Sequence, residues 1–142
     1  MRGPNPLKKF KNLGVMTVPY GGQTEQEAVH PGVDIANEEG TPIHAPVDGV
    51  IVKIDNGHAP LENNFGNTVE IQDTEGKTHQ MHHLQKINVK LGQQIRKGQQ
   101  VATMGKTGAV YSPTGGDPTN LDFRVVDAYN RYINPTPYIK DL

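Results

Sequence analysis

The sequence predicts an all-β fold, and three observations carry that expectation. Gly (16) and Pro (11) are abundant for 142 residues, which suits many short strands divided by turns better than long helices. With no Trp and few aromatics, the core must be built from Val, Ile and Leu, residues that suit strands. No segment of helical period exceeds two turns, whereas short β-like stretches recur along the chain.

The elements follow in chain order. Residues 1 to 13 mix Pro, Lys and Asn without periodicity, so residues 1–14 read as a lead-in and residues 15–142 as one domain. Val15 to Val18 is a short strand closed by Gly21-Gly22, and the polar stretch Gln23 to Ala28 reads as a loop. From Val33 onward short β segments repeat. Pro42 to Ala45 and Val50 to Ile54 are separated by Asp48-Gly49, and Asp55-Asn56-Gly57 ends the second with a strong turn signal. His58 to Asn64 is a surface loop. In Thr68 to Gln72, Val69 and Ile71 alternate with polar residues, and Thr74-Glu75-Gly76 turns the chain into a hairpin with Lys77 to Leu84. Ile87-Asn88-Val89 and Ile95 flank Gly92, and Lys97-Gly98 leads into Val101 to Met104. A Gly- and Pro-rich loop, Lys106 to Pro118, precedes the last clear strand, Leu121 to Val126, and Asn134-Pro135-Thr136-Pro137 terminates the fold.

A formal net charge of −1 gives no global field for nucleic acid or an anionic membrane. The densest basic stretch, Lys86 to Lys97, is interrupted by apolar residues and reads as a solvated hairpin face. Without cysteine there is no disulfide framework and no thiolate metal site. No apolar run approaches the roughly 20 residues of a membrane-spanning helix, so no membrane insertion is expected. Nothing hydrophobic follows Met1-Arg2-Gly3-Pro4-Asn5-Pro6, so no signal peptide is expected in this chain and the compartment stays open.

Three short motifs carry chemistry. His30-Pro31-Gly32-Val33-Asp34 spaces an imidazole and a carboxylate four residues apart, on one face of extended backbone. Met81-His82-His83-Leu84 sets a histidine before leucine at a strand end, and Asn120-Leu121-Asp122-Phe123 puts Asn120 and Asp122 on one face. Imidazole nitrogen and carboxylate oxygen both bind zinc, and a catalytic zinc typically keeps three protein ligands and one water. Plainer readings stand beside these. His30 and Asp34 form a hydrogen-bonded pair, Asp122 is a solvated strand residue, Asn120 is a hydrogen-bonding remnant, and His83 is an ordinary strand histidine.

In order and spacing, from about Val15 to Tyr138, these segments resemble the lysostaphin-like, LytM-type zinc endopeptidases of bacterial cell walls. The resemblance implies antiparallel sheets in a barrel-sandwich-hybrid-like architecture. It implies metal ligation by His30, Asp34 and the second His of a His-Leu-His-Phe motif, where this chain carries Asp122. It implies proton handling and oxyanion support by the first His of that motif, replaced here by Asn120, and by the His before leucine, here His83. A His-Asp-Asp shell around Zn²⁺ is formally neutral where His-Asp-His leaves +1, so Mn²⁺ or Ca²⁺ become competitors and the metal-free state stays open. Asn cannot carry a proton, and general acid–base catalysis is worth roughly 10²–10⁴-fold. The expectation is therefore lost or strongly reduced hydrolysis, leaving a domain that binds a peptidoglycan peptide or a cell-wall enzyme, outside the cell or on the wall. The alternative is an active metal-dependent peptidoglycan endopeptidase with a His-Asp-Asp site.

Ala45 to Ile51 and Val89 to Gln99 also resemble strands of biotinyl and lipoyl carrier domains, but the region between them has no modifiable lysine flanked by methionines, which disfavours a carrier. Of the remaining histidines, His79 shares the parity of His83 and is expected on its face, whereas His82 should point away. His44 reads as packed or at a rim, and His58 and Asp117 sit in loops able to close over a site. The resemblance to the lysostaphin-like family implies that substrate choice lies in the loops Gly57 to Asn64 and Ala109 to Pro118.

Overall fold

A computed structural model describes residues 8–22, 29–57, 64–110, 112 and 115–142. The loop expected at Gln23 to Ala28 and residues 58–63, including His58, lie outside them. The described residues form eleven strands: β1 (Lys9–Phe10), β2 (Gly14–Val18), β3 (Val33–Ala36), β4 (Pro42–His44), β5 (Gly49–Asp55), β6 (Asn67–Gln72), β7 (Thr78–Ile87), β8 (Gln94–Ile95), β9 (Gln100–Met104), β10 (Asn120–Val126) and β11 (Tyr132–Ile133). One short helix, α1 (Thr136–Ile139), follows. All pairings between strands are antiparallel, in the order β1-β2-β3-β10-β7-β6-β5-β8, with β11 on β10 and β9 bridging β4 and β7. The all-β expectation holds, and each strand read from the sequence is present within a few residues of its expected bounds.

Alternation explains which face is buried. In β10, Leu121, Phe123 and Val125 point into the core with Met81 of β7, Val69 and Ile71 of β6, Ile51 of β5, and Val33 and Ile35 of β3. Full burial of one such side chain stabilises the fold by about 1.5–3 kcal/mol. The core also takes in Phe10 and Leu13, both buried, from the segment read as a lead-in, and Ile139 from α1. Short runs with no alternation gave no sign of these contributions.

At the β6–β7 turn, Asp73 Oδ1 accepts hydrogen bonds from the backbone N–H of Glu75 and Lys77, both at 2.9 Å. Its other oxygen lies 2.9 Å from His79 Nε2, and the Tyr138 ring meets His79 edge-on at 4.9 Å. His79 is thus a fully buried residue of the core side, not a neighbour of His83.

The strict alternation behind that expectation breaks between Met81 and Leu84. Val69 faces Met81 and Asn67 faces Leu84, so the single residue Thr68 opposes both His82 and His83. This bulge places His83 in the left-handed region at φ 66°, uncommon outside glycine, and shifts every residue before it by one face.

Candidate active site

Register assembles a polar row on the sheet face away from the core, called the cleft below. Asp122 of β10 faces Asp34 of β3 on one side and His82 of β7 on the other. Directly opposed residues bring their Cβ atoms to about 4.5–5.5 Å, so the three form one row on the sheet face opposite the core. His30, just before β3, is buried with Nε2 2.9 Å from Asp34 Oδ1 and 4.0 Å from Asp122 Oδ1. The potential ligand atoms of His30, Asp34 and Asp122 lie within 4.8 Å of one another, a spacing one ion can bridge. Burial pushes the Asp34 carboxyl up and the charge of Asp122 adds to it, against the opposing hydrogen bond from His30. Burial pulls His30 down, but the bond to Asp34 and the two carboxylate charges outweigh it and leave its pKa raised.

Asp122 has a closer partner. Arg124, two residues along β10 and on the same face, donates Nε–H to Oδ1 and Nη2–H to Oδ2, both at 2.9 Å. Asp122 and Arg124 are both buried. Burial alone would raise the Asp122 pKa; the Arg124 hydrogen bonds and charge overturn this and hold it below the ordinary carboxylate range. Gly32 permits the approach, because a Cβ there would stand 2.6 Å from Arg124 Cγ and 2.5 Å from the Phe123 carbonyl. His30 and Asp34 therefore suit a metal, but Asp122 has both oxygens engaged by a guanidinium. As arranged, the three do not fit a tightly held ion, because a dication must displace or adjoin a buried positive charge.

The remaining residues divide by hydrogen bonding. His83 Nδ1 lies 2.7 Å from the Thr107 carbonyl, which only accepts, so Nδ1 carries hydrogen and Nε2 keeps a lone pair in the neutral ring. His82 Nδ1 lies 2.8 Å from Thr68 Oγ1, whose own hydrogen goes to Gly66 O, so this ring also carries its proton on Nδ1. Burial pushes the His82 pKa down to about 3, which keeps it neutral. Contrary to the parity argument, His82 faces the cleft side: it opposes Asp122, and Phe65 stacks on it at 4.3 Å. Asn120 donates its amide N–H to the Pro118 carbonyl at 2.9 Å. Asp117 accepts from the backbone N–H and hydroxyl of Thr119, a local turn, and His44 sits half-buried at the end of β4.

Motif reasoning gave no place at these residues to Arg124 or Phe65, and it turned His82 away from them. Arg124 shares the parity of Asp122, which was the available signal. The guanidinium of Arg124 also lies 4.8 Å from the Phe65 ring and 5.7 Å from that of Tyr132, within cation–π range.

The model of peptidase family M23 matches residues 28–135. The chain is similar to the peptidoglycan DD-endopeptidase ShyA of Vibrio cholerae, 39% identical over 90 residues that make up 63% of this chain and 20% of that protein. It is 33% identical over 116 residues to the glycyl-glycine endopeptidase ALE-1 of Staphylococcus capitis, which covers 78% of this chain and 29% of that protein. The structure of the antimicrobial peptidase lysostaphin from Staphylococcus simulans superposes with TM-score 0.72 at 27% identity, over 91% of this chain and 50% of that one. The chain thus spans less than a third of the length of these curated relatives.

Proposed function

The chain belongs to peptidase family M23, and from that premise we propose that its cleft binds peptide arms of the bacterial wall while hydrolysis is lost or strongly reduced. The single observation carrying this reading is the bidentate Asp122–Arg124 pair at 2.9 Å. A carboxylate committed twice to a neighbouring guanidinium is a poor third ligand, and a cation there meets a fixed positive charge. Asn120 supports the same reading, since its side chain serves the Pro118 carbonyl and has no titratable proton.

The groove keeps features that bind. Asp34 is half-buried, His83 is tied through Nδ1 to the Thr107 carbonyl and leaves Nε2 for a further partner, and Phe65 stands partly exposed. Together they offer acceptors for peptide N–H groups and an apolar face for side chains. The peptidoglycan-directed names of ShyA and ALE-1 suggest wall peptide as ligand and a cell-wall location, with a wall enzyme as the other partner class.

A second reading, an active metal-dependent endopeptidase with His30, Asp34 and Asp122 as ligands, is favoured by their 4.8 Å clustering. It requires Arg124 to leave Asp122. Release of soluble peptides from purified wall separates the two. Lost hydrolysis predicts no release above buffer with or without added zinc; chelator-sensitive release establishes the second reading instead. Reversion of Asn120→His and Asp122→His must be combined with Arg124→Gln, because a histidine at 122 leaves the buried guanidinium without its counter-ion. Wall-peptide binding by the parent, followed by titration, is the positive arm, and failure to bind any wall peptide defeats the proposal.

A further inference from the structure

The cleft floor holds two carboxylates, Asp34 and Asp122, directly opposed across β3 and β10. Like charges facing each other on a sheet are destabilising, and more so when both are shielded from water. A positive charge on this floor relieves that repulsion. In this chain it is covalently present. Arg124 grips Asp122 through two hydrogen bonds of 2.9 Å, with both side chains at least nine-tenths buried.

The charges show what this achieves. With His30 neutral, Asp34 and Asp122 contribute −2 and Arg124 contributes +1, leaving −1. A neutral-His, Asp, neutral-His ligand set without the arginine also carries −1. Exchange of an imidazole for a carboxylate at position 122 is thus balanced within the same strand, two residues away.

We infer that Arg124 is a built-in cation occupying the electrostatic role of a metal in this cleft, so that the site is a latent divalent-metal site held shut by the Asp122–Arg124 pair. Three properties follow. The folded chain needs no metal to hold β3 against β10. Divalent zinc binds weakly to the parent, because it must compete with an arginine that does not dissociate. Removal of the arginine frees both Asp122 oxygens beside His30 and Asp34, whose ligand atoms already lie within the 4.8 Å cluster, and converts the floor into a working site for zinc or a harder dication. Gly32 belongs to the same device, since any side chain there meets Arg124 Cγ at 2.6 Å.

The inference rests on the reading of the cleft given above, but its test reads metal affinity and thermal stability rather than hydrolysis or peptide binding, so the two fail separately. Zinc is titrated calorimetrically into the full chain, and the melting temperature is compared in chelator and in excess zinc. For the parent the melting temperature stays within about 1 °C between the two conditions. Arg124→Gln melts lower in chelator, recovers in zinc, and binds zinc roughly 10- to 100-fold more tightly than the parent. Asp122→Asn/Arg124→Gln, which removes both charges, folds without metal and loses the gained affinity. Tight zinc binding by the parent with a raised melting temperature overturns the inference, whatever becomes of the variants. So does an Arg124→Gln variant that folds and shows no gain. If Arg124→Gln folds only in the presence of zinc, the inference is supported in its strongest form.

Discussion

At Asp122 a carboxylate stands where family resemblance calls for imidazole, and its consequence lies at Arg124 on the same strand face. Breaking one member of a buried ion pair leaves a charge without its partner, at about 3–5 kcal/mol, whereas removing both together is often near neutral. Arg124→Met should therefore destabilise by about that amount in urea unfolding, and Asp122→Leu/Arg124→Met by distinctly less. Equal losses in the two variants would show that the pair is not what makes the single change harmful. His82 gives a second residue-scale expectation. Its folded pKa is pushed down to about 3 by burial, while an unfolded histidine titrates near 6.5. Between those values the unfolded chain binds a proton that the folded chain does not, so stability falls as pH drops from about 6.5 towards 3. His82→Gln keeps a polar group near Thr68 and removes this titration; its stability should decline less between about pH 7 and pH 4, by on the order of 3 kcal/mol at most. A parallel decline in parent and variant would remove His82 from the account. The residues themselves were legible as motif members, since His30, Asp34, His83, Asn120 and Asp122 follow from spacing and resemblance. The partner of Asp122 was not, because a motif lists what chemistry needs and says nothing of what neutralises a substitution.

Strand positions and hairpins were legible from apolar alternation and turn residues, but alternation assumes an uninterrupted pleat. The bulge opposite Thr68 violates that assumption at the residues where facing matters most, reversing the readings of both His79 and His82. It is held by a second element. His83 N–H donates to Phe65 O at 2.8 Å, Thr107 O receives His83 Nδ1–H, and Thr107 Oγ1 donates to Leu84 O at 2.8 Å. The Phe65-Gly66 and Thr107-Gly108 turns interlock to do this: Cβ atoms at Gly66 and Gly108 would stand 2.4 Å from Thr107 backbone atoms and Gly66 N respectively. Both glycines also have positive φ, 64° and 81°. Gly92 has φ 83°, and a Cβ added there would meet nothing within 4 Å, so it isolates the backbone term. Gly92→Ala should lose about 1–2 kcal/mol, and Gly108→Ala clearly more, with perturbed His83 ring resonances in NMR spectra only for the latter. Equal losses and an unmoved His83 would mean the turns do not position the imidazole.

The whole molecule ties its cleft to the N-terminal end of the described chain and its core to the C-terminal end. β3, which carries Asp34, lies between β2 and β10, and β2 is in turn covered by β1. Leu13, between β1 and β2, is buried, and its carbonyl accepts a hydrogen bond from the Asn37 side chain just past β3 at 3.1 Å. Thus residues that read as a featureless lead-in brace the strand that presents a cleft carboxylate. They escaped a period-based reading because one or two apolar residues per turn define no period, and their burial is decided by distant partners. At the other end Ile139 is buried in the core, and the ring of its neighbour Tyr138 meets His79 edge-on. Leu13→Ala and Ile139→Ala should each destabilise by about 2–5 kcal/mol, whereas Tyr129→Ala, 80% exposed, should stay within about 0.5 kcal/mol. The two core variants should differ in where they open. Loss of the Leu13 side chain loosens β2 from β3, so amide exchange in Leu13→Ala should accelerate first at β3, around Asp34, and only later at β6. In Ile139→Ala it should accelerate first at the β6–β7 turn, near Asp73 and His79. Uniform acceleration in both would describe a sheet that opens only as one body. Site-selective opening, in contrast, gives the Asp34 side of the cleft a local stability of its own, separable from the Asp122–Arg124 side that β10 and β7 hold in the centre of the sheet.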